Sequence, residues 1–166
     1  MDLSKTPPGA RSLHVVLVEP EIHWNTGNAG RSCLALGAQL HLIEPLGFSL
    51  VEKEVRRAGL DYWPRVKPRV WPSWASFESQ LTELGEPYFV SPEAPMRIHD
   101  VRFPRKTVLV FGRESSGLPA AVREAYRDRL ISIPMLDSET RSLNLSTCVG
   151  ITLYEVLRQR QRASRS

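Results

Sequence analysis

Residues 131–160, ISIPMLDSETRSLNLSTCVGITLYEVLRQR, decide how the rest of the chain is read. The stretch opens as a short apolar strand carrying Ile131 and Ile133, passes through a polar loop, and enters a helix. Leu145, Val149, Leu153 and Val156 recur there at helical period, so one face of that helix is expected to be buried. The loop and helix start hold Arg141, Ser142, Asn144, Ser146 and Thr147. A helix cap would use one of these polar groups and leave a surplus. An apolar strand feeding a polar loop over a helix start is where α/β proteins bind ligands. Cys148, Ile151 and Leu157 add apolar surface outside the main stripe, more than a helix with one wet face needs.

Upstream, strand and helix patterns alternate. Residues 14–18 (HVVLV) are nearly all apolar, as in a strand covered on both faces, and Glu19-Pro20 ends the run. In the following EIHWNTGNAGRSCLALGA (21–38), Asn25, Thr26 and Asn28 are cap-type residues. Ala29, Cys33, Leu34 and Leu36 make a helix face, and Gly37 closes the helix. A second apolar strand at 40–43 completes a βαβ unit. Next come a helix over 49–59 and a short edge strand over 66–71 among Pro64, Pro68 and Pro72. Ser73 caps a helix with Trp74, Phe77, Leu81 and Leu84 on one side, Gly85 ends it, and a strand follows over 87–91. Residues 91–106 are irregular. A buried strand over 108–111 runs into Gly112-Arg-Glu-Ser-Ser-Gly117-Leu-Pro119, where Pro119 opens a helix reaching Tyr126. The alternation makes this an α/β domain, a mostly parallel sheet flanked by helices.

A chain of 166 residues suits one compact domain, expected over 13–160, between a lead-in at 1–12 expected to be disordered and a basic tail at 161–166. No apolar run approaches a membrane span of about 20 residues, and the N-terminus lacks the apolar centre of a signal peptide. A cytoplasmic protein is expected. Cys33 and Cys148 are far apart within apolar patterns, and the four histidines are scattered singly, so no metal is expected. The net charge of +4 hides three clusters, at Arg56, Arg57, Arg65, Lys67 and Arg69, at Arg102, Arg105 and Lys106, and at Arg158, Arg160, Arg162 and Arg165. Such clusters fit a polyanionic partner, RNA foremost, and fit a solvated basic surface equally.

Three stretches concentrate polar chemistry. Asn25-Thr-Gly-Asn28-Ala-Gly-Arg31 sets Asn28 and Arg31 on one helix face; read alone it is also a plain helix cap. In the 111–119 stretch two glycines let backbone approach a ligand beside Glu114; read alone it is also a tight turn. The third is the loop at 141–147. No Rossmann or Walker pattern occurs.

Together, N-T-G-N-x-x-R after the first strand, F-G-R-E-S-S-G-L-P after a late one, and I-P-M followed by R-S-L-N-L-S and a terminal helix resemble the SPOUT superfamily of S-adenosylmethionine-dependent RNA methyltransferases. More narrowly, EPEIxxNTGN, RRAGLDYW (56–63) and LNLSxxVxxxLYExxRQ resemble the small tRNA (cytidine(34)-2'-O)-methyltransferases, which modify the wobble nucleotide of leucine tRNAs. The resemblance implies a homodimer with a C-terminal trefoil knot, acting on cytidine or modified uridine in the anticodon stem-loop of tRNA. It implies S-adenosyl-L-methionine bound by loops around Val90, Gly112 to Gly117, and Ile133 to Asn144. Backbone at Val90, Ile133 and Leu143 would hold adenine, Gly112 and Gly117 would admit the chain to the cofactor, and the Ser142 hydroxyl would bond it. Arg31 would stand at the target 2'-hydroxyl, with Asn25, Glu114, Ser142 and Asn144 orienting it and the ribose. A guanidinium stays protonated in water at working pH, so stabilising a developing alkoxide is a simpler role than acting as a base. Tyr154 would lie at the dimer interface. The nearest alternative is a 2'-O-methyltransferase acting on another tRNA position or on rRNA. An RNA-binding module without catalysis is the reading from a different class.

Overall fold

The computed structural model describes residues 12–51 and 61–164. The expected lead-in at 1–11, most of the helix at 49–59 with Arg56 and Arg57, and the end of the tail with Arg165 lie outside the described residues. The strands are β1 (Leu13–Val18), β2 (Gln39–Ile43), β3 (Arg69–Trp71), β4 (Glu86–Val90), β5 (Thr107–Phe111) and β6 (Leu130–Ile131). The helices are α1 (His23–Leu36), α2 (Trp63–Val66), α3 (Trp74–Glu78), α4 (Leu81–Leu84), α5 (Ala120–Ala125) and α6 (Leu145–Ala163).

The strands form one parallel sheet in the order β3-β2-β1-β5-β4-β6. β1 lies at its centre, with Val16 opposite His41 of β2 and Val110 of β5, and all six of its residues are buried. This is why its sequence is almost uniformly apolar rather than alternating. Leu13, Val15 and Leu17 pack with Ala29 and Cys33 of α1 and with Val149, Leu153 and Val156 of α6. Val16 and Val18 face the opposite layer, with Phe77, Leu81 and Val122 from α3, α4 and α5. The stripe read from the opening stretch is therefore a core stripe. Val149, Leu153 and Val156 are fully buried, each contributing about 1.5–3 kcal/mol of burial. Thr152 completes that face by donating its hydroxyl to the Cys148 carbonyl, 2.8 Å.

Four local expectations change. First, α1 starts at His23, so Asn25 and Thr26 lie inside its first turns and are buried rather than capping. The N-cap residue is Ile22, which makes no side-chain cap; a carboxylate from a remote loop takes that role, as described below. Second, the helix expected after Ser73 is two short helices. Ser73 and Ser76 form the capping box of α3. The Ser79 hydroxyl then donates to the Ser76 carbonyl at 2.8 Å, competing with the backbone ladder just where the helix breaks. Third, β6 ends at Ile131, because Ser132 N–H donates to the Met96 carbonyl and Ser132 O accepts from Ile98 N–H. Ile133 thus lies beyond the strand. Fourth, Trp63–Val66 is helical, with Pro64 in its first turn, where a proline costs nothing.

The third arginine cluster is partly structural. Arg160 donates to the carbonyls of Ser12 and Arg105, at 3.1 and 2.6 Å, fastening α6 to the start of β1. Arg158 pairs with Glu155 through two bonds, which hold that carboxyl down to about 2. Burial pushes the Cys148 thiol up to about 11, so it stays neutral and packs as an apolar group.

One buried polar chain crosses the second layer. Trp71 Nε1–H donates to His41 Nδ1 at 3.1 Å, and His41 Nε2 lies 3.0 Å from His14 Nδ1. An indole N–H can only donate, so a neutral His41 carries its proton on Nε2 and donates it to His14. Burial, with the charges of His14 and Arg69, lowers the His41 pKa from 6.5 to about 3. The unfolded chain then binds more protons than the folded one between these values. This contribution is intact above pH 6.5 and is lost as the pH falls toward 3. Urea midpoints measured from pH 6.5 down to about 5, above the window where Glu155 titrates, are expected to give a slope of up to about 1.4 kcal/mol per pH unit. His41→Gln, which accepts from Trp71 without titrating, flattens it; an unchanged slope would assign the effect elsewhere.

Candidate active site

The strand order reverses between β1 and β5: after β1 the chain passes to β2 on one side, and after β5 it crosses past β4 to β6 on the other. In parallel α/β sheets such a reversal opens a crevice at the carboxyl ends of the two strands. The first two polar stretches meet there. Glu19, just past β1, takes a left-handed backbone (φ 51°), rare outside glycine, and its carboxylate pairs with Arg113, just past β5. The loops are then laced reciprocally. Glu21 accepts from Ser115 N–H and Ser115 Oγ–H, both at 2.8 Å. Glu114 accepts from the backbone N–H of Glu21 (2.7 Å) and Ile22 (3.1 Å) and from the Asn25 side-chain amide (3.1 Å).

Glu114 is thus the cap of α1, supplied from some ninety residues away. Its charge meets the positive end of the helix dipole, which adds to the hydrogen bonds. The third stretch joins through Asn25: its Oδ1 accepts from Asn144 Nδ2 at 2.9 Å. Asn144 Oδ1 in turn accepts from Ser146 N–H, Thr147 N–H and the Ser146 hydroxyl and so caps α6. A continuous chain Glu114–Asn25–Asn144 therefore ties the starts of α1 and α6 to the loop after β5. Thr26, beside Asn25, has a buried hydroxyl with no hydrogen-bond partner among the described residues.

Arg31 lies six residues along α1 from Asn25, about 9 Å up the axis. Its side chain is exposed, and its guanidinium carbon stands 4.7 Å from the centre of the Tyr62 ring. Tyr62 donates its hydroxyl to the Gly27 carbonyl at 2.8 Å. The next residue, Trp63, packs so closely on α1 that a Cβ at Gly30 would come within 2.8 Å of its ring.

The expected cofactor residues fall at adjacent strand ends. Val90 closes β4 opposite Phe111 and Ile131, Gly112 follows β5, and Ile133 lies two residues past β6. Val90 and Ile133 are half-buried against the core; Leu143 is half-buried and Ser142 exposed on the loop leading to Asn144. The 113–117 loop closes on itself through Arg113 N–H to Gly117 O (3.1 Å) and Gly117 N–H to Arg113 O (2.9 Å), with Gly117 at φ 70°. A Cβ at Gly112 would lie 2.0 Å from the Gly117 carbonyl carbon, so no other residue fits while the loop is closed. Apolar half-buried residues and a close-packed glycine pair fit a nucleoside-sized group, and among the described residues no group of three or more His, Cys, Asp or Glu is arranged to hold a metal ion. A separate cavity of about 720 Å³ lined by Ser91, Ala94, Met96, Arg123 and Leu130 opens nearby, and none of the expected cofactor residues lines it.

Residues 12–154 match the SpoU rRNA Methylase family. The chain belongs to that family. Within it, a tRNA (cytidine(34)-2'-O)-methyltransferase of Acidovorax sp. (strain JS42) is 42% identical over 149 residues, covering 89% of this chain and 91% of that protein. A solved structure described as structural insight into the 2-OH methylation of C/U34 on tRNA is 43% identical, with a TM-score of 0.82 over 90% of this chain and 96% of that one. The SpoU methyltransferase AviRb of Streptomyces viridochromogenes, solved in complex with the cofactor AdoMet, is 27% identical with a TM-score of 0.74 over 89% of this chain and 57% of that one.

Placed on this SpoU-family fold, Asn25, Glu114 and Asn144 share one hydrogen-bonded chain, while Arg31 makes contact through Tyr62 instead. Sequence reading missed Tyr62, although it stands in the quoted RRAGLDYW stretch, and missed the Glu21–Ser115 and Glu19–Arg113 links. Acidic residues just before α1 and polar ones just after β5 were the available signal.

Proposed function

We propose that this protein transfers a methyl group from S-adenosyl-L-methionine to the ribose 2'-hydroxyl of nucleotide 34, cytidine or modified uridine, in leucine tRNAs. The observation that carries the reading is the Glu114–Asn25–Asn144 chain, which joins three separated stretches at the β1/β5 crevice, on the helix that also carries the exposed Arg31. Relatives that cover most of their own length with this chain bear the corresponding name. The cofactor brings an already activated methyl group. Val90, Ile133 and Leu143 would enclose its adenine, Gly112 and Gly117 would let backbone reach it, and Ser142 would donate a hydrogen bond. The Arg31 cation would stand at the 2'-oxygen and stabilise the charge that develops there as its proton passes to solvent water and the methyl group leaves the sulfonium, releasing S-adenosylhomocysteine. Asn25 and Asn144 would hold the ribose between the two helix starts, so that the attacking oxygen is fixed in line.

The active form in this reading is a cytoplasmic homodimer of one domain over 13–160. Ile151 and Tyr154 are exposed on α6, and Trp24 on α1 with Ile22 just before it; α1 packs against α6, and these apolar groups would be covered by a second copy. A trefoil knot formed by the loops after β4, β5 and β6 is part of the same reading. It is supported by the path of residues 132–144, which start at the outer edge beyond β4 and end on Asn25 of α1. The test is methyl transfer from labelled S-adenosylmethionine by purified protein, with unmodified leucine tRNA, other tRNAs and rRNA as separate arms. Label in leucine tRNA alone is expected. Label in rRNA or in every tRNA would overturn the substrate assignment, and cofactor binding without transfer to any RNA would overturn the activity.

A further inference from the structure

We propose that Tyr62 is the positioning residue for Arg31, holding its guanidinium as a fixed cation over the ribose-binding end of the site. This rests on the reading of Arg31 given above. Tyr62 reaches Arg31 in two ways. Its ring lies under the guanidinium at 4.7 Å, within the range where the negative face of an aromatic ring attracts a cation. Its hydroxyl donates to the Gly27 carbonyl at 2.8 Å. In an α-helix that carbonyl, four residues back, is the acceptor for the backbone N–H of Arg31 itself. One side chain therefore grips both the charged end of Arg31 and the turn that carries it.

Three further features make the grip durable. Trp63 packs on Gly30 at a distance that leaves no room for a Cβ, so the 62–63 segment is docked on this face of α1. Burial raises the Tyr62 hydroxyl above its ordinary 10, with the Arg31 charge opposing and Asp61 adding, so the proton donated to Gly27 O stays in place at any working pH. A free arginine side chain has a large rotamer entropy, and stacking removes part of it before substrate arrives.

The test compares Tyr62→Phe, which keeps the ring, with Tyr62→Leu and Tyr62→Met, which remove it, in the full-length protein. Steady-state methyl transfer, cofactor affinity by calorimetry and thermal melting are measured for each. The ring-less variants are expected to lower kcat by about 5- to 30-fold, with KM for tRNA and cofactor affinity within about threefold. Tyr62→Phe stays within about threefold of the parent kcat, since it loses only a neutral hydrogen bond. In an Arg31→Gln background, where no cation remains over the ring, Tyr62→Leu changes kcat less than about twofold. Parent-like kcat in a folded ring-less variant overturns the proposal, as does an equal loss in both backgrounds or a fall in Tyr62→Phe as large as in Tyr62→Leu. Full activity of Arg31→Ala would instead remove the role of Arg31, a separate failure.

Discussion

Arg31→Ala is expected to lower kcat for methyl transfer by about 10²–10³-fold, the loss typical when one donor aimed at a developing oxyanion is removed. The side chain is exposed, packs against the Tyr62 face and holds no part of the core, so the melting temperature should stay within about 2 °C of the parent. Arg31 is not among the residues expected to hold the cofactor, which lie at or after the ends of β4, β5 and β6, so cofactor affinity should change less than about twofold. Arg31→Lys restores charge without the planar fork and should recover only part of the rate. Transfer kinetics alongside calorimetric titration of the cofactor check all three. A variant retaining more than about a tenth of the parent rate would mean that charge at this position does not stabilise the reacting oxygen.

Glu114→Gln should cost more in stability and comparably in rate. The carboxylate accepts three hydrogen bonds from the start of α1, two from backbone N–H groups with no helical partner of their own. An amide presents one acceptor and turns two donors toward those N–H groups. Lost charge-assisted bonds and the lost dipole interaction together amount to about 2–4 kcal/mol for this half-exposed group, reduced by whatever water can replace. Activity should fall by about 10²-fold, since Asn25 loses the bond that orients it toward Asn144 and the substrate end of α1 loosens. Hydrogen exchange should localise the damage: the amides of Glu21 and Ile22 exchange faster, while those of β1 remain protected until global unfolding. Unchanged exchange at Glu21 and Ile22 would contradict the capping role.

How much of this was legible depends on how far each interaction reaches along the chain. β1, α1 and β2 were readable because burial on both faces, helical period and a closing Gly37 are local properties, and the βαβ unit follows from them. The buried stripe of α6 was readable for the same reason, down to Val149, Leu153 and Val156. The start of α1 was not. Local rules look for a cap within a few residues and chose Asn25 and Thr26; the actual cap is Glu114, which frees those two side chains to face inward. The break after Glu78 turned on one serine hydroxyl choosing a backbone carbonyl, which periodicity does not register. The histidine pair beneath Trp71 was invisible as well, since His14 and His41 meet only through strand pairing.

The site divides along the same line. Its candidate residues came from motif resemblance, each motif being contiguous in sequence, but their connections run between motifs and so needed the fold. Asn25 to Asn144 spans 119 positions and Glu114 to Asn25 spans 89. Tyr62 was overlooked because an aromatic in a loop reads as packing until the charge above it is seen. Arg160 shows the converse: its cluster read equally as an RNA-facing or a solvated surface, whereas its guanidinium satisfies two backbone carbonyls.

The most direct test is to incubate the purified protein with S-adenosylmethionine and unmodified leucine tRNA and to locate the new methyl group by nuclease digestion and mass spectrometry. A single 2'-O-methyl ribose at nucleotide 34, absent with Arg31→Ala, is the predicted result. A methyl group on a base, on a ribose elsewhere in the tRNA, or unchanged in Arg31→Ala would contradict it.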